Sequence, residues 1–250
     1  MSTAAAIRRP RVSTDHTPAQ TVLLHLAPGA AAFAAYVGLV PVARQLGLPP
    51  VAALATVGLL VIAPVQLGLL QAQRRRRPDQ PAVELRARLP LPRLLGWAGL
   101  EVALAGLAFL GTAPFTRLLQ ARVFAWWPDA WTVRLGTEGG YSDTALLITA
   151  ALLLVGTVLT APVVEELYFR GYLLPRMPHQ LGPWKLPAHV ALFAAYHLWT
   201  PWMAPTRILA VLPLAYVALR TRDVRVGIVA HVLLNATDLI VLFAYLTKPN

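Results

Sequence analysis

The stretch "TALLITAALLLVGTVLTAPVVEELYFRGYLLPR", residues 144–176, decides how this chain folds. Its first part is apolar and, at about 20 residues, long enough to cross the hydrocarbon of a bilayer as a helix. Glu165, Glu166 and Arg170 then interrupt the apolar pattern. A charge in hydrocarbon is costly, so such residues are by default functional and need partners. The stretch therefore predicts a membrane helix that carries part of a functional site.

The composition of the whole chain also favours a bilayer. Of its 250 residues, 57% are hydrophobic and 13% are charged, and the mean hydropathy is +0.57, whereas a soluble domain is about one quarter charged. The chain has no cysteine, which excludes disulfides, thiolate metal sites and cysteine nucleophiles. The bias toward Ala, Leu, Arg and Pro suggests a bacterial source. We expect a multi-pass protein of a cell (inner or plasma) membrane.

Seven apolar runs predict an all-α, polytopic membrane helical bundle of about seven transmembrane helices. Residues 1–20 are expected to form a cytoplasmic basic tail. The run after this tail is too long for the h-region of a cleavable signal peptide, so we expect a retained first helix. The runs cover residues 21–45, 51–72, 94–113, 144–164, 186–199, 207–219 and 226–246.

The positive charges predict an N-in, C-out orientation. With the N-terminus inside, 16 of the 22 Lys and Arg residues fall on the cytoplasmic side, and the net charge of +11 needs no nucleic acid to explain it. The cytoplasmic set is Arg8, Arg9, Arg11, Arg74, Arg75, Arg76, Arg77, Arg86, Arg88, Arg93, Arg170, Arg176, Lys185, Arg220, Arg222 and Arg225. The other side has Arg44, Arg117, Arg122, Arg134, Arg207 and Lys248.

Polar side chains in the last four runs recur at helical spacing. Glu166 and Arg170 are four residues apart, so they are predicted to pair on one face. Glu165 is turned about 100° from Glu166, so it points elsewhere. His231 and Asn235 also share a face, on the last run. The spacing predicts that Glu166 and Arg170 clasp each other and leave Glu165 to face the other polar residues.

This set of residue types suits the activation of water. A glutamate takes a proton from water as general base, and His and Asn side chains donate to the oxyanion that forms at an attacked carbonyl. Peptide hydrolysis without a cofactor fits these roles. Zinc held by Glu165, His197 and His231 is the alternative, although the chain lacks the H-E-x-x-H spacing of helical zinc proteases.

Structural roles are also open for these residues. The Glu166–Arg170 pair also fits a clasp or topology anchor, and Asn235 also fits a hydrogen bond that joins two helices. His25 and His189 are interpreted as helix-packing residues rather than catalysts. A transporter that used Glu165 in a proton relay is a further alternative.

Three short motifs resemble those of one family. "EELYFR" (165–170), "FAAYH" (193–197) and "HVLLN" (231–235) resemble the E-E-x-x-x-R, F-x-x-x-H and H-x-x-x-N motifs of the CAAX prenyl endopeptidase and bacteriocin-processing (CPBP) intramembrane proteases. The similarity covers residues 144–246, which would be a CPBP-type catalytic core. Residues 21–143 would be the variable N-terminal helices and loops.

The resemblance implies an intramembrane endopeptidase that cuts a membrane-associated protein or peptide, either of CAAX type or in bacteriocin or peptide maturation. Its partners would be that membrane-tethered substrate and the lipid bilayer. A zinc-dependent version of the same hydrolysis, or a non-enzymatic immunity or scaffold protein, is the alternative. The resemblance gives Glu165 the role of base, with support from Glu166 and Arg170, a water-binding role to His197, and an oxyanion site to His231 and Asn235.

Overall fold

The computed structural model describes residues 16–248. The predicted basic tail lies outside the described residues up to position 15, including Arg8, Arg9 and Arg11. The first described helix begins three residues before the predicted position, because Thr17 caps it. The Thr17 hydroxyl accepts from the Gln20 N–H, and the Gln20 side chain accepts from the Thr17 N–H, so two orphan donors of the helix start are satisfied.

Seven principal helices and no strand occur in the described part of the chain, which confirms the predicted all-α membrane bundle. Six of them are long and apolar enough to cross a membrane. The fifth has 12 residues, which span about 18 Å against about 30 Å of hydrocarbon. The helices are α1 Pro18–Gln45, α2 Pro50–Arg76, α3 Leu91–Arg122, α4 Asp143–Leu173, α5 Lys185–Tyr196, α6 Ala204–Thr221 and α7 Arg225–Leu246.

The helix α4 is longer than its apolar run. It continues to Leu173 rather than ending near residue 164, so the glutamate pair lies inside a helix and not at its end. Its backbone is π-helical over Leu153–Thr160 and Glu166–Leu173. Arg170, which the charge count assigned to the cytoplasmic flank, is 1% exposed inside the bundle. The pairing of Arg170 with buried Glu166 offsets the cost of this charge.

Close backbone approach holds α2 and α4 together. A Cβ atom added at Gly156 would lie 2.2 Å from the carbonyl oxygen of Ala55, so only glycine permits this contact. Aromatic and aliphatic side chains from α1, α2, α4 and α5, among them Tyr36, Val57 and Phe169, form the largest buried cluster nearby. This packing fixes α4 next to α5 and the first two helices.

The two ends of the described chain lie at opposite ends of α4. The N–H of His16 donates to the carbonyl of Arg176, just past the end of α4. At the other end, Tyr245 and Leu246 of α7 pack into the same cluster as Tyr141, just before α4 begins. The two ends of the described chain therefore lie at opposite ends of the bundle, whereas the side that faces the cytoplasm stays a prediction.

The connection between α6 and α7 is held by Asp223. Its carboxylate accepts from the Leu89 N–H at 2.8 Å and from the Arg225 Nη2 at 2.6 Å. Burial raises the pKa of Asp223, but the hydrogen bonds from Arg225 and Leu89 outweigh burial, so its pKa lies below the ordinary value. This carboxylate therefore ties the start of α3 to the start of α7.

Two histidines serve helix packing, as predicted. The His25 Nε2 lies 3.0 Å from the His189 Nδ1, and the His25 Nδ1 donates to the Thr21 carbonyl at 2.7 Å. The pair joins α1 to α5, away from the polar cavity described below. Their interpretation as packing residues is confirmed.

Candidate active site

Side chains from α4, α5 and α7 meet on one cavity of about 670 Å³. The short length of α5 explains how residues at different predicted depths converge, because α5 ends at Tyr196 and leaves His197 within the bundle. The remaining walls are largely apolar and come from α2, α3 and α6. The lining includes all six residues that the sequence singled out, namely Glu165, Glu166, Arg170, His197, His231 and Asn235.

Glu166 is the most firmly held carboxylate of the cavity. Its Oε1 lies 3.0 Å from the Arg170 Nη1 and 3.2 Å from the His231 Nδ1. The predicted ion pair at i and i+4 is therefore confirmed. The Glu166 Oε2 has no hydrogen-bond partner in the described residues and packs against Gly227. His231 therefore contacts Glu166 directly. The sequence spacing had instead predicted that Glu165 would face His231.

Glu165 is the adjacent carboxylate, and it has a different partner. Its Oε1 accepts from the Tyr196 hydroxyl at 3.2 Å. The same hydroxyl accepts from the Gln66 Nε2 at 3.3 Å, so one polar chain runs from α2 through α5 to α4. No cation lies within ion-pair distance of Glu165 among the residues described. Its carboxylate is thus buried, oriented by one hydrogen bond, and available to a ligand in the cavity.

His197 is oriented by the end of α5. Its Nδ1 donates to the Phe193 carbonyl at 2.9 Å, which the end of the helix leaves without a main-chain partner. The ring also packs against Phe193, Tyr196 and Trp199. With its Nδ1 hydrogen used in this way, the neutral ring keeps a lone pair on Nε2. His197 is therefore equipped to accept a hydrogen bond from a water molecule.

Asn235 is oriented by a gap in the hydrogen bonding of α4. In the π-helical segment the Ala161 N–H bonds to the Gly156 carbonyl. The next carbonyl, that of Thr157, would need an N–H from Pro162, which has none. The Asn235 Nδ2 donates to this carbonyl at 2.9 Å. Asn235 therefore does join two helices, and its amide has a second N–H for a ligand.

The arrangement places a buried carboxylate, two imidazoles and a carboxamide around one space, which suits the addition of water to a carbonyl. His231 donates Nδ1–H to Glu166, so it has a second N–H for an oxyanion only as an imidazolium. Among the described residues, no three His, Asp or Glu side chains are grouped so that they could hold a metal ion together. The side-chain positions of Glu165, His197 and His231 therefore do not fit a three-ligand zinc site.

Four residues near the site were not found by sequence reasoning. Tyr196 lies inside the "FAAYH" motif, and Gln66 is a lone amide in an apolar run, so both carried a weak signal. Arg207, which the charge count assigned to the outer flank, instead lines the cavity. Glu101 of α3 is 1% exposed, and its carboxylate oxygens have no partner in the described part of the chain. The sequence prediction considered the polar residues of the last four apolar runs, and Glu101 lies in the third run.

The second half of the chain matches a known protein family. Residues 147–237 match the family model described as type II CAAX prenyl endopeptidase Rce1-like. This interval begins in α4 and includes the three polar motifs on α4, α5 and α7. The comparisons with curated proteins and with solved structures found no match.

Proposed function

We propose that the chain, which matches the type II CAAX prenyl endopeptidase Rce1-like family model over residues 147–237, is a protease of that family and cuts a membrane-tethered substrate with a water molecule activated by Glu165. The observation that carries this proposal is the convergence of Glu165, His197, His231 and Asn235 on one cavity. Any one of these residues has a packing explanation. Catalysis requires that these four residues share one cavity, whereas helix packing does not require it.

The proposed reaction starts with proton transfer from water to Glu165. The resulting hydroxide attacks the carbonyl carbon of the scissile peptide bond, while the Nε2 lone pair of His197 orients the water. The carbonyl oxygen becomes an oxyanion that accepts hydrogen bonds from the second Asn235 N–H and from the His231 imidazolium. The C–N bond then breaks, and the proton held by Glu165 passes to the leaving amine.

Glu166 and Arg170 act through His231 rather than on the substrate. The Glu166 Oε1 lies 3.2 Å from the His231 Nδ1 and orients that ring, and the Arg170 Nη1 at 3.0 Å holds the Glu166 carboxylate in place. Because Arg170 also lies 4.0 Å above the Phe193 ring, its own position is fixed. These two residues are therefore positioning residues in the proposal.

The apolar walls of the cavity favour a substrate that reaches the site from the bilayer. Phe109, Val211 and Leu214 line the space beside the polar set. Burial of apolar side chains of a membrane-associated peptide against these walls would be favourable. This feature supports both a CAAX-type substrate and a maturing bacteriocin-like peptide.

The test uses full-length protein in its native membrane. Membrane peptides are compared between a deletion strain and the same strain with wild-type protein, Glu165→Gln or Glu138→Gln. The expected result is that precursors accumulate in the deletion and Glu165→Gln strains only, because Gln keeps the size of Glu165 but is not a base. Glu138 is an exposed loop carboxylate and serves as the matched control.

Other outcomes contradict specific parts of the proposal. Full processing by Glu165→Gln would refute the glutamate as base. Activity that a chelator abolishes and zinc restores would instead favour the zinc-dependent reaction. Identical peptide populations in the wild-type and Glu165→Gln strains, both different from the deletion, would favour a scaffold or immunity protein.

A further inference from the structure

A second cavity lies at the end of the bundle where α1 begins and where α2 and α4 end. Its volume is about 350 Å³, and its lining comes from the first turns of α1, the last turns of α2 and the end of α4. It shares no lining residue with the candidate active site. Arg76, Arg77 and Arg176 line it, and none of its described lining residues is an Asp or a Glu. Three guanidinium groups therefore surround one space.

Arg176 fixes one wall of this cavity. It is 1% exposed and lies just past the end of α4. Its Nη2 lies 3.0 Å from the Glu84 Oε1 and donates to the Pro81 carbonyl at 2.8 Å. The N–H of Gln80 donates to the Arg77 carbonyl at 3.1 Å, so the turn after α2 belongs to the same anchored segment. Arg77 is therefore held beside the end of α4 by the fold and not only by its position in the basic run.

Arg76 and Arg77 bring positive charge that the described chain does not neutralise. Among residues 16–248, no carboxylate lies within ion-pair distance of either guanidinium. Glu84 already pairs with Arg176, and the first turn of α1, where the helix dipole is positive, has no acidic residue. Basic residues at the ends of membrane helices set the orientation of a chain. Orientation does not require that they converge on a cavity, so this cavity calls for an anion.

The lining of the cavity changes from basic to apolar along the helix axes. Gln20 and Arg76 lie at the ends of their helices, whereas Leu23 and Leu24 lie about one turn further along α1. Leu69 lies about two turns before Arg76 on α2. Leu23 is 64% exposed, and on a membrane-spanning helix such a side chain faces hydrocarbon. The cavity therefore joins a basic site at the end of the bundle to an apolar surface that faces lipid.

A phosphate ester that carries apolar chains is the anion that this lining suits. Guanidinium groups bind phosphate oxygens through paired N–H donors, and basic pockets between membrane helices bind anionic lipid head groups. Free phosphate would use the basic part of the lining and gain nothing from the leucines. Residues 1–15 contain three arginines and one acidic residue, so the basic tail is not complementary to this cavity.

We propose that the cavity binds the phosphate of an anionic phospholipid through Arg76 and Arg77, with an acyl chain against the leucine side of the lining. The bound lipid joins the start of α1 to the ends of α2 and α4, and it stabilises the bundle at the end of the helix that carries Glu165 and Glu166. This inference does not depend on the proposed hydrolysis.

The test measures lipid binding to the full-length protein, purified in detergent and freed of native lipid, by native mass spectrometry. The probes are dioleoyl phosphatidylglycerol, which is anionic, and dioleoyl phosphatidylcholine, which has the same chains and phosphate but a compensating cation. We expect the anionic lipid to bind at least about 10-fold more tightly, which corresponds to about 1.4 kcal/mol. It should also raise the thermal midpoint, because it binds the folded state. Replacing both Arg76 and Arg77 with Gln should remove the preference for the anionic lipid and the shift in midpoint.

A matched control separates a built site from general attraction to a basic run. Replacing both Arg74 and Arg75 with Gln removes the same charge from the same run, and neither residue lines the cavity. This variant should keep the preference for the anionic lipid. An equal loss of preference in the two double variants would overturn the assignment to the cavity, and so would a preference that persists without Arg76 and Arg77.

Competition with inorganic phosphate distinguishes a lipid from a free anion. Excess phosphate should not displace phosphatidylglycerol, because phosphate makes no contact with the leucine side of the lining. Displacement would indicate a site for free phosphate and overturn the lipid assignment. Equal binding of the two lipids by the unsubstituted protein would overturn it as well. That comparison needs no variant, so it stands even if a double variant does not fold.

Discussion

Replacing Gly227 with alanine should disable the site without touching a polar residue. A Cβ atom at this position would lie 2.4 Å from the Glu166 Oε2, 3.0 Å from its Cδ and 3.3 Å from the Leu214 Cδ2. Contacts under 3.0 Å essentially do not occur for real Cβ atoms. The Glu166 carboxylate must therefore move, and Leu214 limits the directions that are open to it.

The size of the effect follows from these distances. The Oε2 must retreat by about 0.6 Å to reach 3.0 Å and by about 1 Å to reach ordinary contact at 3.4 Å. Movement of the carboxylate disturbs its contacts with the Arg170 Nη1 at 3.0 Å and the His231 Nδ1 at 3.2 Å. A misplacement of about 1 Å costs roughly 100-fold in rate, or about 2.7 kcal/mol. Overpacking at such a site costs about 1–3 kcal/mol of stability.

The assay measures kcat/KM for a membrane-tethered substrate in liposomes and the thermal midpoint in detergent. Gly99→Ala in α3 is the matched control, because nothing lies within 4 Å of the added Cβ. That change should stabilise its helix by up to about 1 kcal/mol and leave activity unchanged. A Gly227→Ala protein with kcat/KM within about twofold of wild type would refute the reasoning, since the position of Glu166 would then not matter.

Three further predictions concern packing, the orientation of Glu165, and pH. Gly156→Ala should lower the free energy of unfolding by at least about 2 kcal/mol, because the added Cβ would lie 2.2 Å from the Ala55 oxygen. Denaturation in detergent measures this change. Gly68→Ala is the control and should not lower the free energy of unfolding, because open space surrounds its added Cβ. Tyr196→Phe should reduce kcat/KM about 10-fold while the protein stays folded, because Glu165 loses a charge-assisted hydrogen bond; unchanged activity would exclude Tyr196 as an orienting residue. Asp223→Asn should lower stability by roughly 2 kcal/mol at neutral pH. Since the pKa of Asp223 is depressed in the fold, its stabilisation is present above its ordinary pKa near 4 and is lost as pH falls through the folded pKa. The difference in thermal midpoint between the wild type and Asp223→Asn should therefore shrink below about pH 4, and a constant difference would contradict this.

Features that depend on neighbours along the chain were predictable. The first and last helices begin within three residues of their predicted starts, because long apolar runs mark them in the sequence. The Glu166–Arg170 pair was predictable since residues four apart meet on any helix. The partners of Glu165 were not. Tyr196 is 31 positions from Glu165, and Gln66 is 130 positions from Tyr196, so nothing in the local pattern joins them.

The faces of α4 illustrate why the rest of the site required three dimensions. Counting 100° per residue assumes hydrogen bonds from i to i+4, but two segments of α4 are π-helical, with bonds from i to i+5 that turn the following residues away from that count. Other helices contact α4 at these π-helical segments. The backbone of α2 approaches Gly156, and the Asn235 side chain of α7 donates to the Thr157 carbonyl, which Pro162 cannot bond because it has no N–H. Glu166 consequently meets α7, and Glu165 meets α5. The sequence shows both carboxylates and predicts both partner helices. Which carboxylate meets which helix depends on the backbone hydrogen bonding of α4, and that bonding depends on packing.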